Sequence, residues 1–280
     1  MLQFCEMILN IPCLQLGKNN KFASNLNKQF FLKLLLPLLL LICLTTFAQE
    51  KEITSNEQFW MGYLTSGKLS EKYSLWNDFH YVPNSFFVAR TGLTRYFHKN
   101  LNLTAGYAYL NIHTLSEGVK LKRKEHRPWM QMVASHKISD RLKMINRIRY
   151  DMRFRQDFAN GELLNSFTFN HRLRMLISMR FPLVGKEIIG GTPFINITNE
   201  ILVNFGEHVE NNYFDQNRTW LTFGTRLDNF SIQAGYMHRF IQLPQDQRFV
   251  RSHNLVLWVS HNFDFRKKNK ANKKLFYRQP

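Results

Sequence analysis

Arg147, Arg149 and Arg153 stand at alternate positions around Asp151, and Arg172, Arg174 and Arg180 repeat the spacing in the next patterned segment. A guanidinium presents a rigid fork of donors that grips carboxylates and phosphates in pairs. Two kinds of chemistry follow. One is an ionic network filling a narrow interior, with Asp151, Glu200 and Glu125 as counter-charges. The other is a basic strip that selects anions or holds a phosphorylated or carboxylated solute. Arg218 is a further candidate for the same surface.

The spacing dictates the element that carries these groups. In NRIRYDMRFR, from Asn146, the residues Ile148, Tyr150, Met152 and Phe154 interleave with the charged ones. A helix would smear that pattern around its cylinder, whereas a strand sorts it into one ionic and one apolar face. SFTFNHRLRMLISMRF, from Ser166, sorts in the same way and only Leu176 breaks the rule. LWNDFHYV from Leu75 and LNLTAGYAYLN from Leu101 alternate too. Eleven such segments succeed one another between Glu57 and Phe265, and no stretch after Ala48 keeps a helical period.

Several segments alternate for longer than a typical soluble strand, as suits tilted strands crossing a bilayer. Short turns at 98–100, 139–141 and 228–229 alternate with long polar segments, expected as loops, at 114–126, 156–162, 206–216 and 242–250. That asymmetry matches short periplasmic turns and longer extracellular loops, although 182–191 is long for such a turn. The outward face of the last segment has an apolar centre, with His253 at one end and His261, Phe263 and Phe265 at the other, as in an interfacial girdle. The fold class expected is therefore all-β, an antiparallel transmembrane barrel of ten to twelve strands. The alternative is a soluble sandwich or lipocalin-like barrel with its arginines in water. An even strand number is the rule for bacterial barrels, so a count of eleven leaves one strand to be explained.

KQFFLKLLLPLLLLICLTTFAQ, 28–49, has basic, apolar and small-residue parts in the order of a secretory signal, cleaved after Ala48. Residues 1–27 read as an over-extended start, 49–56 as a short N-terminal segment, 57–265 as the barrel and 266–280 as a basic tail. Cys5, Cys13 and Cys43 all precede the proposed cut, so the exported chain has neither disulfide nor thiol nucleophile. The formal charge is +18, and the tail carries seven of the 38 basic residues. An exported chain without stacking platforms does not read as a nucleic-acid binder. The tail reads as solvated or as a contact for lipid or lipopolysaccharide phosphates.

The chain resembles an uncharacterised outer-membrane family common in Bacteroidetes, domain of unknown function 2490 (DUF2490). The resemblance rests on FWMGYLTSGKLSEKYSLW near Trp60, EHRPWMQ at Glu125, RIRYDMRF at Arg147, HRLRM at His171, ITNEILVN around Glu200, FDQNR ending at Arg218 and AGYMHR at Ala234. Their order and spacing cover nearly all of the exported chain. Two features depart from the pattern: Asp151 stands where the family has Glu, and a basic tail follows Phe265. The resemblance implies an outer-membrane barrel, with lipid, lipopolysaccharide and the barrel-assembly machinery as partners, and brings no substrate or catalytic residue.

The function expected is a narrow channel, a solute-binding barrel or a structural one, open to small anionic solutes. The alternative is a lipid-modifying enzyme. SHN occurs at Ser252 and again at Ser260, but neighbouring strand residues face opposite ways, which leaves a dyad only across strands, for instance at His238. No phosphate-cradling or dinucleotide-binding glycine motif occurs, and the ten histidines show no ligand spacing, so no metal or cofactor is expected.

Overall fold

The computed structural model describes residues 51–266; the expected signal segment, the three cysteines and the tail beyond Arg266 lie outside the described residues. Eleven strands and no helix make up the described chain. In order they are β1 (Glu52–Lys68), β2 (Tyr73–Val82), β3 (Phe86–His98), β4 (Leu101–Ser116), β5 (Val119–Lys137) and β6 (Lys143–Ala159). There follow β7 (Glu162–Pro182), β8 (Pro193–Phe205), β9 (Phe214–Leu227), β10 (Phe230–Gln242) and β11 (Arg248–Asp264). Each consecutive pair is antiparallel, and β1 closes the barrel against β11.

The closure explains the odd count. An up-and-down sheet of eleven strands brings its first and last strands together in the same direction, and β1 pairs with β11 in parallel from Glu52↔Arg248 to Lys68↔Asp264. The barrel is thus mixed, with a single parallel seam. Its first strand begins at one rim, here the N rim, and its last strand ends at the other, the C rim. β1 begins ahead of the predicted start at Glu57, because backbone pairing with β11 needs no face of alternating polarity.

Two of the four polar segments expected as loops are strand. Residues 114–126 and 156–162 continue β4, β5, β6 and β7 beyond the N rim, and the pairs close on the two-residue turns Glu117–Gly118 and Asn160–Gly161. All four turn residues have positive φ (51, 80, 50 and 74°), the geometry of a hairpin turn that matches strand twist. The charged run Lys122–Glu125 and the Glu-Gly and Asn-Gly turns inside these segments give them the look of loops in the sequence. The other two segments are loops in part, at 206–213 and 243–247.

The alternation sets the two faces. Arg149, Asp151 and Arg153 are buried in the lumen while Ile148 and Phe154 are exposed outside. On β7, Arg172 and Arg174 point inward and Met175, Ile177 and Met179 outward. Leu176, the apparent exception, keeps the parity and is a lumenal leucine opposite Glu200. Among the described residues polar and charged side chains outnumber apolar ones in the buried set, while most large exposed side chains on the strands are apolar.

Candidate functional site: the lumenal arginine network

The lumen has two unlike walls. On β5 to β9 it is ionic, and Glu200 of β8 anchors its first cluster. Arg147 donates to Glu200 Oε1 at 2.6 Å, and Arg174 donates through Nε to Oε1 at 3.0 Å and through Nη2 to Oε2 at 3.1 Å. Arg218 Nη1 lies 3.6 Å from Oε2. Arg174 also reaches Asp151, at 3.7 Å, and Arg127 approaches the same carboxylate at 3.9 Å. Asp151 makes no hydrogen bond in the described structure and is held by charge alone.

Glu125 of β5 gathers a second cluster. Its Oε1 accepts from Arg127 Nε at 2.9 Å and from Arg153 Nε at 2.8 Å, and its Oε2 accepts from Arg155 Nε at 2.9 Å. Arg153 extends to Asn204, whose Oδ1 also accepts from Arg172 Nε at 3.0 Å; Arg172 Nη2 then donates to Asp215 at 2.9 Å. The chain of contacts Glu125–Arg127–Asp151–Arg174–Glu200 is continuous, so removal of one member leaves others with buried, unbalanced charge.

The facing wall, from β10 through the seam to β4, is mixed: it carries apolar clusters among hydroxyl and amide groups, with Asp78, Arg90 and Arg239 as its buried charges. Trp60, Val82, Met237 and Val256 form one cluster, and Val88, Ala108, Leu110 and Trp129 another. Two guanidinium–tryptophan contacts join the walls, Arg149 of β6 to Trp76 of β2 and Arg218 of β9 to Trp60 of β1. Arg149 lies 4.7 Å from the Trp129 ring centroid and 5.4 Å from that of Trp76, while donating twice to Gln131 Oε1. Arg239 and Arg218 lie 4.8 and 5.4 Å from Trp60, and both donate to Gln216 Oε1. A third ion cluster, Asp78 with Arg90 and His80 at 2.5 Å each, sits on this facing wall. Eleven tilted strands spaced about 4.8 Å apart enclose a backbone ring roughly 22 Å across, narrow enough for long side chains to meet at its axis. Glu125 and Asp151 are 0% exposed and Arg149 and Glu200 1%, so water does not reach these four, while the side chains of Arg147 and Arg218 keep 21% and 15% of their surface.

The candidates read from sequence therefore come together: Arg147, Arg149, Asp151, Arg153, Arg172, Arg174, Glu200 and Arg218 belong to this one layer. Arg180 does not. It lies nearer the C rim, over Phe194 at 5.2 Å. The sequence reading missed Arg127, Asp78, Arg90, Asp215 and Arg239, together with the tryptophans. EHRPW carried a usable signal, since Glu125, Arg127 and Trp129 alternate there, but Pro128 obscures the strand. Asp215 occupies the bulge between β8 and β9, where alternation fails.

The SHN motifs do not form dyads. Ser252 points inward and donates to Asn254 Oδ1, while His253 points outward to the hydroxyl of Tyr236. His238 faces the ring of His253, and among the described residues no serine hydroxyl is hydrogen-bonded to a histidine. No cluster of His, Cys, Asp and Glu suited to a metal ion occurs among the described residues.

Residues 57–250 match the family model described as protein of unknown function (DUF2490). The chain belongs to the DUF2490 family. No curated protein matches it. In this DUF2490 barrel the matched span takes in the lumenal ion pairs described above, from Asp78 to Arg218.

Proposed function

We propose that this DUF2490 chain is a bacterial outer-membrane barrel, as in Bacteroidetes, whose lumen is closed at mid-height by the arginine network, making it a structural or solute-binding barrel and not an open channel. The observation that carries this reading is the packed central layer, with Glu125, Asp151, Arg149 and Glu200 almost wholly buried and guanidinium groups reaching tryptophans across the lumen. A soluble barrel would place ions outside and hydrocarbon within; here the polarity is inverted. On β11 the outward span from His253 to Phe263, at about 3.3 Å per residue and a tilt of about 40°, rises roughly 25 Å, the height of a bilayer's apolar band.

Aromatic groups gather at both limits of that band. Toward the N rim, Tyr150 donates to or accepts from His171 at 2.5 Å and Tyr236 is paired with His253 at 2.5 Å; Tyr107 is paired with His126. Toward the C rim, His261, Phe263 and Phe265 stack in succession. In this reading the extended hairpins of the N rim are extracellular, lipid and lipopolysaccharide cover the outer face, a cleaved signal ahead of Gln49 exports the chain and the barrel-assembly machinery inserts it. The test is cell fractionation with gel mobility. An outer-membrane band that runs faster unboiled than boiled supports the reading; a band in the soluble fraction that does not shift on boiling refutes it.

A further inference from the structure

The C-rim mouth holds cations that the central network does not use. Lys143, the first residue of β6, stands directly opposite Arg180 of β7. By parity with Arg147 and Arg174 both point inward. Arg226 of β9 is near enough for its charge to act on each of them. Like charges opposed across a strand pair repel. In the central layer Glu125, Asp151, Glu200 and Asp215 offset most of this crowding, and Arg149 and Arg239 are held by glutamine oxygens and tryptophan faces, whereas neither Lys143 nor Arg180 pairs with a carboxylate among the described residues. The acids of the adjoining connections, Glu187 and Asp228, pair with neither. Arg180 Nε is buried without a hydrogen-bond partner.

The surroundings suit an anion with oxygen atoms to spare. Asn196 is the cross-strand partner of Arg180 on β8, accepts from Ser178 Oγ at 2.7 Å and donates to Thr198 Oγ1 at 3.1 Å. By register Ser178 and Thr198 lie one inward position deeper in the lumen than Arg180 and Asn196, and Phe194 supports the face of the guanidinium. A fork of N–H donors beside an ammonium group is a geometry that holds phosphoryl or carboxylate oxygens.

We infer that this mouth is an anion-binding site in which Arg180 and Lys143, within the field of Arg226, hold the phosphate or carboxylate group of a small solute or a lipid headgroup. The inference rests on the closed-barrel reading, because the packed central layer forms the floor of the site. It names the ligand class that a solute-binding barrel of this kind would take.

The test uses the chain from Gln49 onward, refolded in neutral detergent, with heat-modifiable mobility as the check of folding. Inorganic phosphate and, separately, a short-chain phosphatidylglycerol are titrated in by calorimetry. The expected result is saturable binding, weakened at least tenfold in Arg180→Gln and in Lys143→Gln and unchanged in Lys122→Gln on the outward face of β5. Binding of phosphate supports a solute site, and binding of the lipid alone a headgroup site. If Arg180→Gln loses its heat-modifiable form, Lys143→Gln decides. A folded barrel that binds neither probe, or binds equally in both variants, overturns the site alone. A chain with no heat-modifiable form overturns the barrel reading and the site with it.

Discussion

Arg174 of β7 grips Glu200 of β8 with two nitrogens, Nε to Oε1 at 3.0 Å and Nη2 to Oε2 at 3.1 Å, with both side chains buried at the centre of the barrel. Arg147 and Arg218 converge on the same carboxylate. Glu200→Gln strips the counter-charge from three guanidinium groups at once. Breaking a buried pair from one side costs about 3–5 kcal/mol, and the account expects a loss of that order in the urea midpoint of the refolded barrel. Glu71→Gln, at an ion pair on the exposed rim, is expected to change it by less than about 1 kcal/mol.

Arg149 tests how the two walls are joined. Lysine keeps the charge but has neither the planar face that lies over Trp129 and Trp76 nor the fork that reaches Gln131. Arg149→Lys is expected to destabilise the barrel by about 1–3 kcal/mol and to alter tryptophan fluorescence in the folded state. An unchanged midpoint and spectrum would show that charge alone fills that position.

The parallel seam has its own point of close approach. Gly62 of β1 is opposite Trp258 of β11 and His80 of β2, and a side chain at Gly62 would overlap the Trp258 ring. Gly62→Val is expected to cost about 1–3 kcal/mol by overpacking, seen as a lower temperature for loss of the heat-modifiable form. Met61→Val, which points outward, is the control and is expected to have little effect.

Orientation can be read with single cysteines, since the chain from Gln49 onward has none of its own. Gln245→Cys, in the β10–β11 loop at the N rim, is expected to react with an impermeant maleimide on intact cells. Val184→Cys, exposed in the β7–β8 connection at the C rim, is expected to react only after permeabilisation. The opposite pattern would invert the barrel in the membrane and turn the anion site to the outside.

The sequence showed the strands best where two unlike environments press on them. β6 and β7 are legible because Arg147 to Arg153 and Arg172 to Arg180 must lie inward while Ile148 and Met175 lie outward. The N-rim extensions of β4 to β7 were not, for the charged run Lys122–Glu125 and the Glu-Gly and Asn-Gly turns there leave only short patterned stretches that look like loops. The seam was invisible for another reason: parallel pairing of Glu52–Asn56 with Arg248–Ser252 is a backbone matter with no side-chain signature. In the site, charged residues on clean strands were found and those beside Pro128 or in the bulge at Asp215 were missed. The tryptophan wall was missed because a lumen read from its charges suggests water, whereas Trp60, Trp76 and Trp129 turn it into a packed core.

The central claim is that this core closes the barrel, and single-channel recording tests it most directly. The chain from Gln49 onward, once heat-modifiable mobility shows it folded, is inserted into planar bilayers and held under voltage. The account predicts a silent bilayer, with discrete steps emerging only when the bridging layer is cut back, as in a Trp60→Ala, Arg149→Ala double variant that still folds. Regular steps from the unaltered chain, with anion preference lost on replacing Arg172 and Arg174, would contradict it and make the arginines the lining of an open pore.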